Sequence, residues 1–261
     1  MLPLAGDQPP TNAADLAQSL QRGLAQQGVT AEVRAEGGWP SLSLLAIQLA
    51  RIDRPKPLTK TATGEQVSIA RFDVTGTPVD IEGMPATVHA HFSQLNCGLG
   101  RGTAGDGPWQ LIVQSAGSGR LELEAAKTDI EQGVHRIVSE LASRQGATVK
   151  STTLNLTSIS PRSVKFEASC TAKVFIATAT LTVVGQLEID DQLNARLIGL
   201  SVSGDGMVAS MAQGMIQPRL TELNGKVIPL GEYVAAGLTV QDLKISTGEM
   251  VRLEANFAAA T

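Results

Sequence analysis

Residues 128–138 read Thr128-Asp129-Ile130-Glu131-Gln132-Gly133-Val134-His135-Arg136-Ile137-Val138. The apolar residues recur at the three- and four-residue spacing of an amphipathic helix, and the series continues to Leu141. Thr128 and Glu131 match a capping box, in which each side chain binds the free amide of the other residue. Gly146 ends the helix, and residues 148–159 have the composition of a strand. This stretch therefore predicts a helix that leads directly into a sheet.

The same order of helix and strand occurs earlier in the chain. Residues 15–24 read Asp15-Leu16-Ala17-Gln18-Ser19-Leu20-Gln21-Arg22-Gly23-Leu24, and strand-like residues 29–36 follow Gly28. The offset that aligns Leu16 with Ile130 also aligns Leu20 with Val134 and Leu24 with Val138. Two amphipathic helices also align this well by chance, so duplication and coincidence both stay open. In either case each helix needs a sheet against which to bury its apolar side.

The composition predicts a folded chain with an unusual interior. Of the 261 residues, 43% are hydrophobic but only 3% are aromatic, so Ala, Val, Leu, Ile and Met must fill the core. Small side chains that do not pack closely leave space, which is compatible with a ligand cavity. The net charge of −4 argues against nucleic acid as a partner, because binding to phosphates needs clustered Lys and Arg. The nearest basic cluster contains Arg51, Arg54, Lys56 and Lys60; it could contact anionic lipid head groups or form a solvated loop.

The pattern along the chain predicts the α+β class. We expect a flexible N-terminal arm at residues 1–11, a first helix-plus-strands unit at 12–126 and a second at 127–261, packed together as one elongated domain. A third helix is predicted over 207–224, with Met207, Met211 and Met215 at four-residue spacing and a kink or break at Pro218. Residues 173–189 alternate as one strand, which is long for a flat sheet and typical of a curved one. We therefore expect a long, strongly curved antiparallel sheet wrapped around amphipathic helices.

The sequence contains few residues that could form a catalytic, metal-binding or cofactor-binding site. His89 and His91 would project from one face of a strand, but two histidines need further ligands to hold a metal, and surface histidines are the alternative. Residues 100–105 match Gly-x-Gly-x-x-Gly, yet another strand follows where a dinucleotide site needs a helix. The carboxylate pairs Glu122/Glu124 and Asp190/Asp191 suit exposed strand faces or turns. The sequence therefore predicts no enzyme, no metal and no cofactor.

Two further expectations concern single side chains. Cys97 and Cys170 could form a disulfide in an oxidising compartment, or both could be small buried hydrophobic residues. His135 lies opposite the apolar side of the second helix and is expected in solvent. If a ligand is bound, the second and third helices and the inner strand faces would line its site. The predicted lipid-binding residues are Ile130, Val134, Ile137, Val138, Leu141, Phe166, Phe175, Met207, Met211 and Met215.

Several stretches together resemble the LmeA-like phospholipid-binding family over most of residues 13–257. They are Val33-Arg34-Ala35-Glu36, Trp39-Pro40-Ser41-Leu42, Leu44-Leu45, Ile52-Asp53, Thr128-Asp129-Ile130-Glu131, Gly185-Gln186-Leu187-Glu188-Ile189, Pro229-Leu230, Gly237-Leu238-Thr239-Val240-Gln241-Asp242-Leu243-Lys244-Ile245 and Gly248-Glu249-Met250-Val251-Arg252-Leu253. The family looks like part of the group of tubular lipid-binding proteins, in which long curved strands wrap a helix. The resemblance implies a phospholipid-binding role in the bacterial cell envelope without a catalytic centre.

The combined expectation is non-catalytic binding or transport of a phospholipid-like ligand in an apolar groove, with possible peripheral membrane contact. The alternative is a structural or interaction protein of the envelope that has a filled core and no ligand. The first residues lack the basic start and apolar run of a signal peptide. The expected location is therefore the periplasm or envelope if an export segment has been removed, and the cytoplasm otherwise.

Overall fold

The structure is a computed structural model that describes residues 1–53, 64–101, 108–144, 146–174, 177–233 and 238–259. Phe175, the basic residues Arg54, Lys56 and Lys60, and most of the glycine-rich stretch 100–105 lie outside these residues. The elements are, in order, β1 (Leu2–Pro3), α1 (Ala13–Gln26), β2 (Val29–Gly38), β3 (Ser41–Ile52), β4 (Gln66–Ile81), β5 (Met84–Arg101), β6 (Trp109–Ser115), β7 (Ser118–Ala126), α2 (Lys127–Ser143), β8 (Ala147–Ser160), β9 (Ser163–Val174), β10 (Ala177–Ile189), β11 (Asn194–Gly204), α3 (Met207–Leu223), β12 (Val227–Pro229), a 3₁₀ turn (Leu230–Tyr233), β13 (Leu238–Ser246) and β14 (Met250–Ala259).

The chain divides into two compact units. Unit 1 contains Met1–Glu124, Val234–Leu243 and Leu253–Thr261, and unit 2 contains Ala125–Tyr233 and Lys244–Arg252. The predicted units, 12–126 and 127–261, differ from this division mainly near the C-terminus, where two segments group with unit 1. Strands dominate both units, which agrees with the α+β class in its broad form. Among the described residues, no helix is long and apolar enough to cross a membrane.

The larger sheet has the order β13-β14-β7-β5-β4-β3-β2, with β6 paired to β5 and β1 paired to β6. The pairs β2/β3, β4/β5, β5/β6 and β5/β7 are antiparallel. The pair β3/β4 is parallel, so the predicted antiparallel arrangement does not extend to this pair. A parallel neighbour requires a long connection rather than a tight turn, and the chain between Ile52 and Gln66 has the necessary length.

Helix α1 confirms the first predicted helix and supplies one side of a closed core in unit 1. The Asn12 side chain caps it by accepting a 2.9 Å hydrogen bond from the backbone N–H of Asp15. The predicted apolar residues Leu16, Leu20 and Leu24 are buried. They pack in one cluster with buried side chains of β2 to β6, of which the largest fully buried ones are Leu45, Ile69, Leu99 and Leu111. Periodicity was therefore sufficient to identify this helix and its buried side.

The N-terminus also contributes to this core. The predicted arm at residues 1–11 includes β1, which pairs with β6 through Leu2 and Pro3. Leu4 is fully buried, and its N–H donates to the carbonyl of Trp109 at 2.8 Å. The next residue, Ala5, bonds to the carbonyl of Ser19 on α1. Residues 2–5 are therefore anchored between the sheet and α1 by both hydrogen bonds and apolar burial.

Gly23 of α1 provides a test of this anchoring. A Cβ at this position would lie 2.3 Å from the carbonyl oxygen of Pro3, so Gly23→Ala must displace β1 or the helix. We expect a loss of about 1–3 kcal/mol in the free energy of unfolding, measured by urea denaturation, because overpacking moves backbone. The matched control is Gly214→Ala in α3, where a Cβ would meet nothing within 4 Å. That variant should gain up to about 1 kcal/mol from higher helix propensity, and equal effects at both positions would contradict the assigned packing.

Unit 2 contains a five-stranded antiparallel sheet with the order β12-β11-β10-β9-β8. The predicted strand 173–189 is shorter in the structure, where β10 begins at Ala177, and β11 was not predicted. Helix α3 was predicted to kink or divide at Pro218; it continues as one element through this residue. Helix α2 begins at Lys127, one residue before the predicted cap Thr128, and has no side-chain cap. The capping-box prediction was wrong because Glu131 binds a strand instead of the helix end.

Candidate functional site

The register of unit 2 gives its sheet one apolar and one polar face. Residues directly opposite each other share a face, so Ala168 of β9 lies between Leu154 of β8 and Val183 of β10. The next row on this face joins Thr152, Cys170 and Leu181. The other face carries hydroxyl groups, with a 2.8 Å hydrogen bond between Ser169 and Thr182 and a 2.9 Å bond between Thr171 and Thr180. One face is thus suited to apolar contacts and the other to water.

Helix α2 is attached to the edge strand β8 by two polar side chains. The Glu131 carboxylate accepts a 2.9 Å hydrogen bond from the backbone N–H of Leu154, and His135 Nδ1 lies 3.0 Å from Thr152 Oγ1. The prediction that His135 lies in solvent was therefore wrong. Because Thr152 shares a face with Cys170, α2 lies on the apolar side of the sheet. The sequence signal for this attachment was the position of Glu131 and His135, four residues apart on one side of the helix.

The apolar side of α2 is left partly uncovered by this attachment. Ile130, Val134, Ile137 and Leu141 lie roughly 100° around the helix from Glu131 and His135. Helix α2 runs antiparallel to β8, since Glu131 contacts Leu154 and His135 contacts Thr152. Because an α-helix is right-handed, its apolar side then faces β9 and not the solvent beyond the edge of the sheet. Ile137 is 52% exposed and Leu141 is 57% exposed, while Ile130, Val134 and Val138 are partly buried.

Helix α3 covers the other side of the same face. Ala209 is fully buried against Gly204 of β11, and Gln213 Nε2 donates a 2.9 Å hydrogen bond to the carbonyl of Val202. Met211 is 64% exposed on the side of α3 away from the sheet. The side chains of Met207 and Met215 lie outside the described part of the structure. Leu220 of α3 is also buried. The lining role predicted for Met207 and Met215 stays a prediction.

Between these helices lies a strip of sheet with apolar, partly exposed side chains, which we interpret as a groove. We call it the unit 2 groove and define its floor as Ala168, Cys170, Ala172, Leu181 and Val183, all partly exposed. Helix α2 packs on β8, whereas α3 packs on β11 and β10. The predicted lining residue Phe166 is also partly exposed, and it lies at one end of the floor. Alternation along β9 and β10 indicated this face, but nothing in it distinguished a floor open to solvent from a filled core.

The groove contrasts with the interior of unit 1. There a continuous cluster of buried side chains joins α1 to its sheet. In unit 2, Gly133 is the buried residue of α2, although this helix also has apolar residues at helical spacing. Burial of apolar surface is the main favourable term in folding, and exposed apolar patches often mark interaction surfaces, so this side of α2 is the candidate binding surface.

The two cysteines are free thiols and differ in their surroundings. Cys97 is fully buried in the core of unit 1, and this burial raises its pKa to about 12. Cys170 is partly exposed on the groove floor; burial raises its pKa above the ordinary value, and a hydrogen bond with Thr152 opposes the increase. Both thiols are therefore mainly protonated at neutral pH.

The predicted histidine pair lies on a different surface, the outer side of the unit 1 sheet. A recess of about 350 Å³ is lined by Arg71, Asp73, Thr75, His89, Ala90, His91, Arg120 and Glu122. Its charges are largely paired: Arg71 Nε lies 2.7 Å from Asp73, His91 Nδ1 lies 2.6 Å from the same carboxylate, and Arg120 pairs with Glu122. In the described parts of the chain, no group of three or more His, Cys, Asp or Glu is arranged to hold a metal ion. This surface carries ion pairs that are largely exposed, and each such pair contributes little to stability by itself.

Comparison with protein families, with curated proteins and with solved structures finds no match to this chain. The resemblance to LmeA-like proteins therefore stays a prediction, and the geometry of unit 2 is the observation on which function must be argued.

Proposed function

We propose that this protein binds a phospholipid-like ligand without catalysis and that an acyl chain of the ligand occupies the unit 2 groove. The observation that carries the proposal is the partly exposed floor of Ala168, Cys170 and Ala172 beside the open apolar side of α2. Small side chains on the floor leave room above the sheet, and Ile137 and Leu141 supply apolar contacts from the helix. An acyl chain matches both features because it is long, narrow and entirely apolar.

The driving force for such binding is burial of apolar surface on both partners. Each methylene group removed from water contributes roughly 0.8 kcal/mol, so a chain that occupies only part of the groove already binds favourably. The groove supplies few hydrogen-bonding groups, since Thr152 is bound to His135 and Gln213 to a backbone carbonyl. Its selectivity is therefore expected to favour apolar chains over polar ligands of the same size.

The proposal extends to the finer fold and to the cellular setting. The resemblance to LmeA-like proteins implies long strands that curve around the helices as in tubular lipid-binding proteins, and such curvature would shelter an acyl chain from water. It also implies transport or holding of phospholipid in the bacterial cell envelope. These points rest on the resemblance, whereas the groove rests on the described contacts of α2, α3 and the sheet.

Native mass spectrometry and organic extraction of the purified protein test the proposal directly. We expect co-purified phospholipid, and a higher melting temperature when the delipidated protein is mixed with phosphatidylglycerol or phosphatidylethanolamine vesicles. The increase follows from ligand binding to the folded state alone. A clean mass for the free protein together with an unchanged melting temperature would contradict the proposal and favour the alternative, a structural or interaction protein without a ligand.

Cys170 offers a second test inside the groove. A maleimide should modify the delipidated protein at Cys170 and leave Cys97 unmodified, because Cys97 is fully buried. Modification should accelerate as the pH rises, because the reactive thiolate forms only near the raised pKa of Cys170. Bound phospholipid should slow the reaction at least about tenfold by covering the floor, as measured by mass spectrometry over time. Equal rates with and without bound lipid would place the ligand outside the groove.

A further inference from the structure

The groove floor ends at a large aromatic residue, Phe166. In the register of β9 and β10, Phe166 lies directly opposite Gly185. A Cβ on Gly185 would lie 2.7 Å from Cζ of Phe166 and 2.5 Å from Cδ2 of Leu200 on β11. The aromatic ring and the leucine side chain therefore meet above the bare backbone of β10. Gly185 is the residue that permits this, since any side chain there would push the two apart.

Along β9, the exposure of the apolar face changes at this contact. On one side, the β9 residues Ala168, Cys170 and Ala172 are small and partly exposed. On the other side, Val164 is only 6% exposed, although Leu187 opposite it on β10 is partly exposed. Phe166 thus lies where the apolar face of β9 changes from partly exposed to buried. An apolar chain lying along the floor would meet the ring at this point.

We propose that Phe166 is the end stop of the groove and sets the length of acyl chain that the protein accepts. This inference rests on the proposed function and adds a specificity-determining residue to it. From Phe166 to Ala172, six residues of strand extend about 20 Å at about 3.3 Å per residue. One membrane acyl chain spans half of the roughly 30 Å hydrocarbon core of a bilayer, or about 15 Å, so the floor is long enough to hold one chain. A floor of this length with a closed end favours acyl chains whose terminal methyl group reaches Phe166 without having to pass it.

The test compares the acyl chains retained by the wild type, Phe166→Ala and Phe166→Leu. Each delipidated protein is mixed with phosphatidylglycerol vesicles whose acyl chains form a graded series of lengths, and the bound lipid is extracted and identified by mass spectrometry. Removal of the ring should favour longer chains, by about fourfold for each additional methylene that can now be buried. Phe166→Leu should shift the preference less, because it keeps an apolar side chain above Gly185 and is also the variant that disturbs folding less.

The chain contains a matched control in unit 1. Phe92 lies opposite Gly119 in the pair β5/β7, and its ring covers this glycine in the same way. Phe92 also packs against Phe72 and Phe257, at ring-centroid distances of 6.2 Å and 5.6 Å. Phe92→Ala should therefore lower stability but leave the chain-length preference of the bound lipid unchanged.

The outcomes separate the two proposals. A wild type that binds phospholipid, with an unchanged preference in both Phe166 variants, would overturn the end stop and leave the proposed function intact. An equal shift in Phe92→Ala would also overturn it, because the effect would then be a general loss of stability. A wild type that binds no phospholipid of any chain length would overturn the proposed function and the end stop together.

Discussion

Leu20→Ala is expected to destabilise the protein by about 2–5 kcal/mol, as measured by urea denaturation. Leu20 is fully buried at the centre of the apolar side of α1, where it packs with Leu16 and Leu24 in the closed core of unit 1. Truncation to alanine removes the transfer free energy of the side chain and leaves a cavity that a sheet on one side and a helix on the other cannot close. The loss is a large part of the stability of an ordinary domain.

The comparison variant is Leu141→Ala, which makes the same chemical change on the apolar side of α2. Leu141 is 57% exposed, so its truncation should change the free energy of unfolding by no more than about 0.5 kcal/mol. The contrast tests the difference between a closed core in unit 1 and an open groove in unit 2. Similar losses for both variants would show that the apolar side of α2 is covered as completely as that of α1.

The double variant Ile137→Ser with Leu141→Ser is expected to lose phospholipid binding without loss of fold. Both side chains are more than half exposed in the free protein, so their removal costs little stability. Each would be buried by a bound acyl chain, and a full burial contributes about 1.5–3 kcal/mol. The two changes together should raise the dissociation constant at least about a hundredfold, measured by titration with phosphatidylglycerol vesicles and native mass spectrometry.

Val227→Ser is the control for this double variant. Val227 is 46% exposed, and its partner Arg196 lies on the polar face of the same sheet. Its replacement should leave lipid binding unchanged, because it lies on the face opposite the groove. A double variant that binds as tightly as the wild type would remove α2 from the site. A loss of binding in Val227→Ser would show that general surface hydrophobicity, rather than the groove, governs the interaction.

The local pattern of the sequence was sufficient for most elements and for the two faces of the unit 2 sheet. The three predicted helices are present with ends within two residues of the predicted ones, because helical periodicity depends only on residues three or four positions apart. Alternation of Phe166, Ala168 and Cys170 with charged and hydroxyl residues identified the apolar face of β9, since successive side chains point to opposite faces of a strand. Strand β11 was not predicted; Gly199 and a break in register near it interrupt its alternation.

The candidate site could be predicted only in part, because its openness depends on partners far away in the sequence. The sequence indicated the apolar side of α2 and placed Phe166 among the lining residues. It assigned Glu131 to a cap and His135 to solvent, whereas both bind β8. A capping carboxylate and a strand-binding carboxylate have the same local sequence, so only the position of β8 distinguishes them. The same holds for Met211, whose helical spacing did not indicate that it faces away from the sheet.

The sequence by itself determined which residues form helices and strands and which side of each is apolar, because these properties depend on local spacing. The tertiary structure alone decided which apolar sides are buried. In unit 1 it brings Leu16, Leu20 and Leu24 against a full sheet, whereas in unit 2 it attaches α2 to β8 through its polar side. Helices α1 and α2 thus have different environments: α1 completes a core, and α2 leaves apolar surface exposed. The physical reason is that burial is set by the distant elements that pack against a helix, and local periodicity carries no information about them.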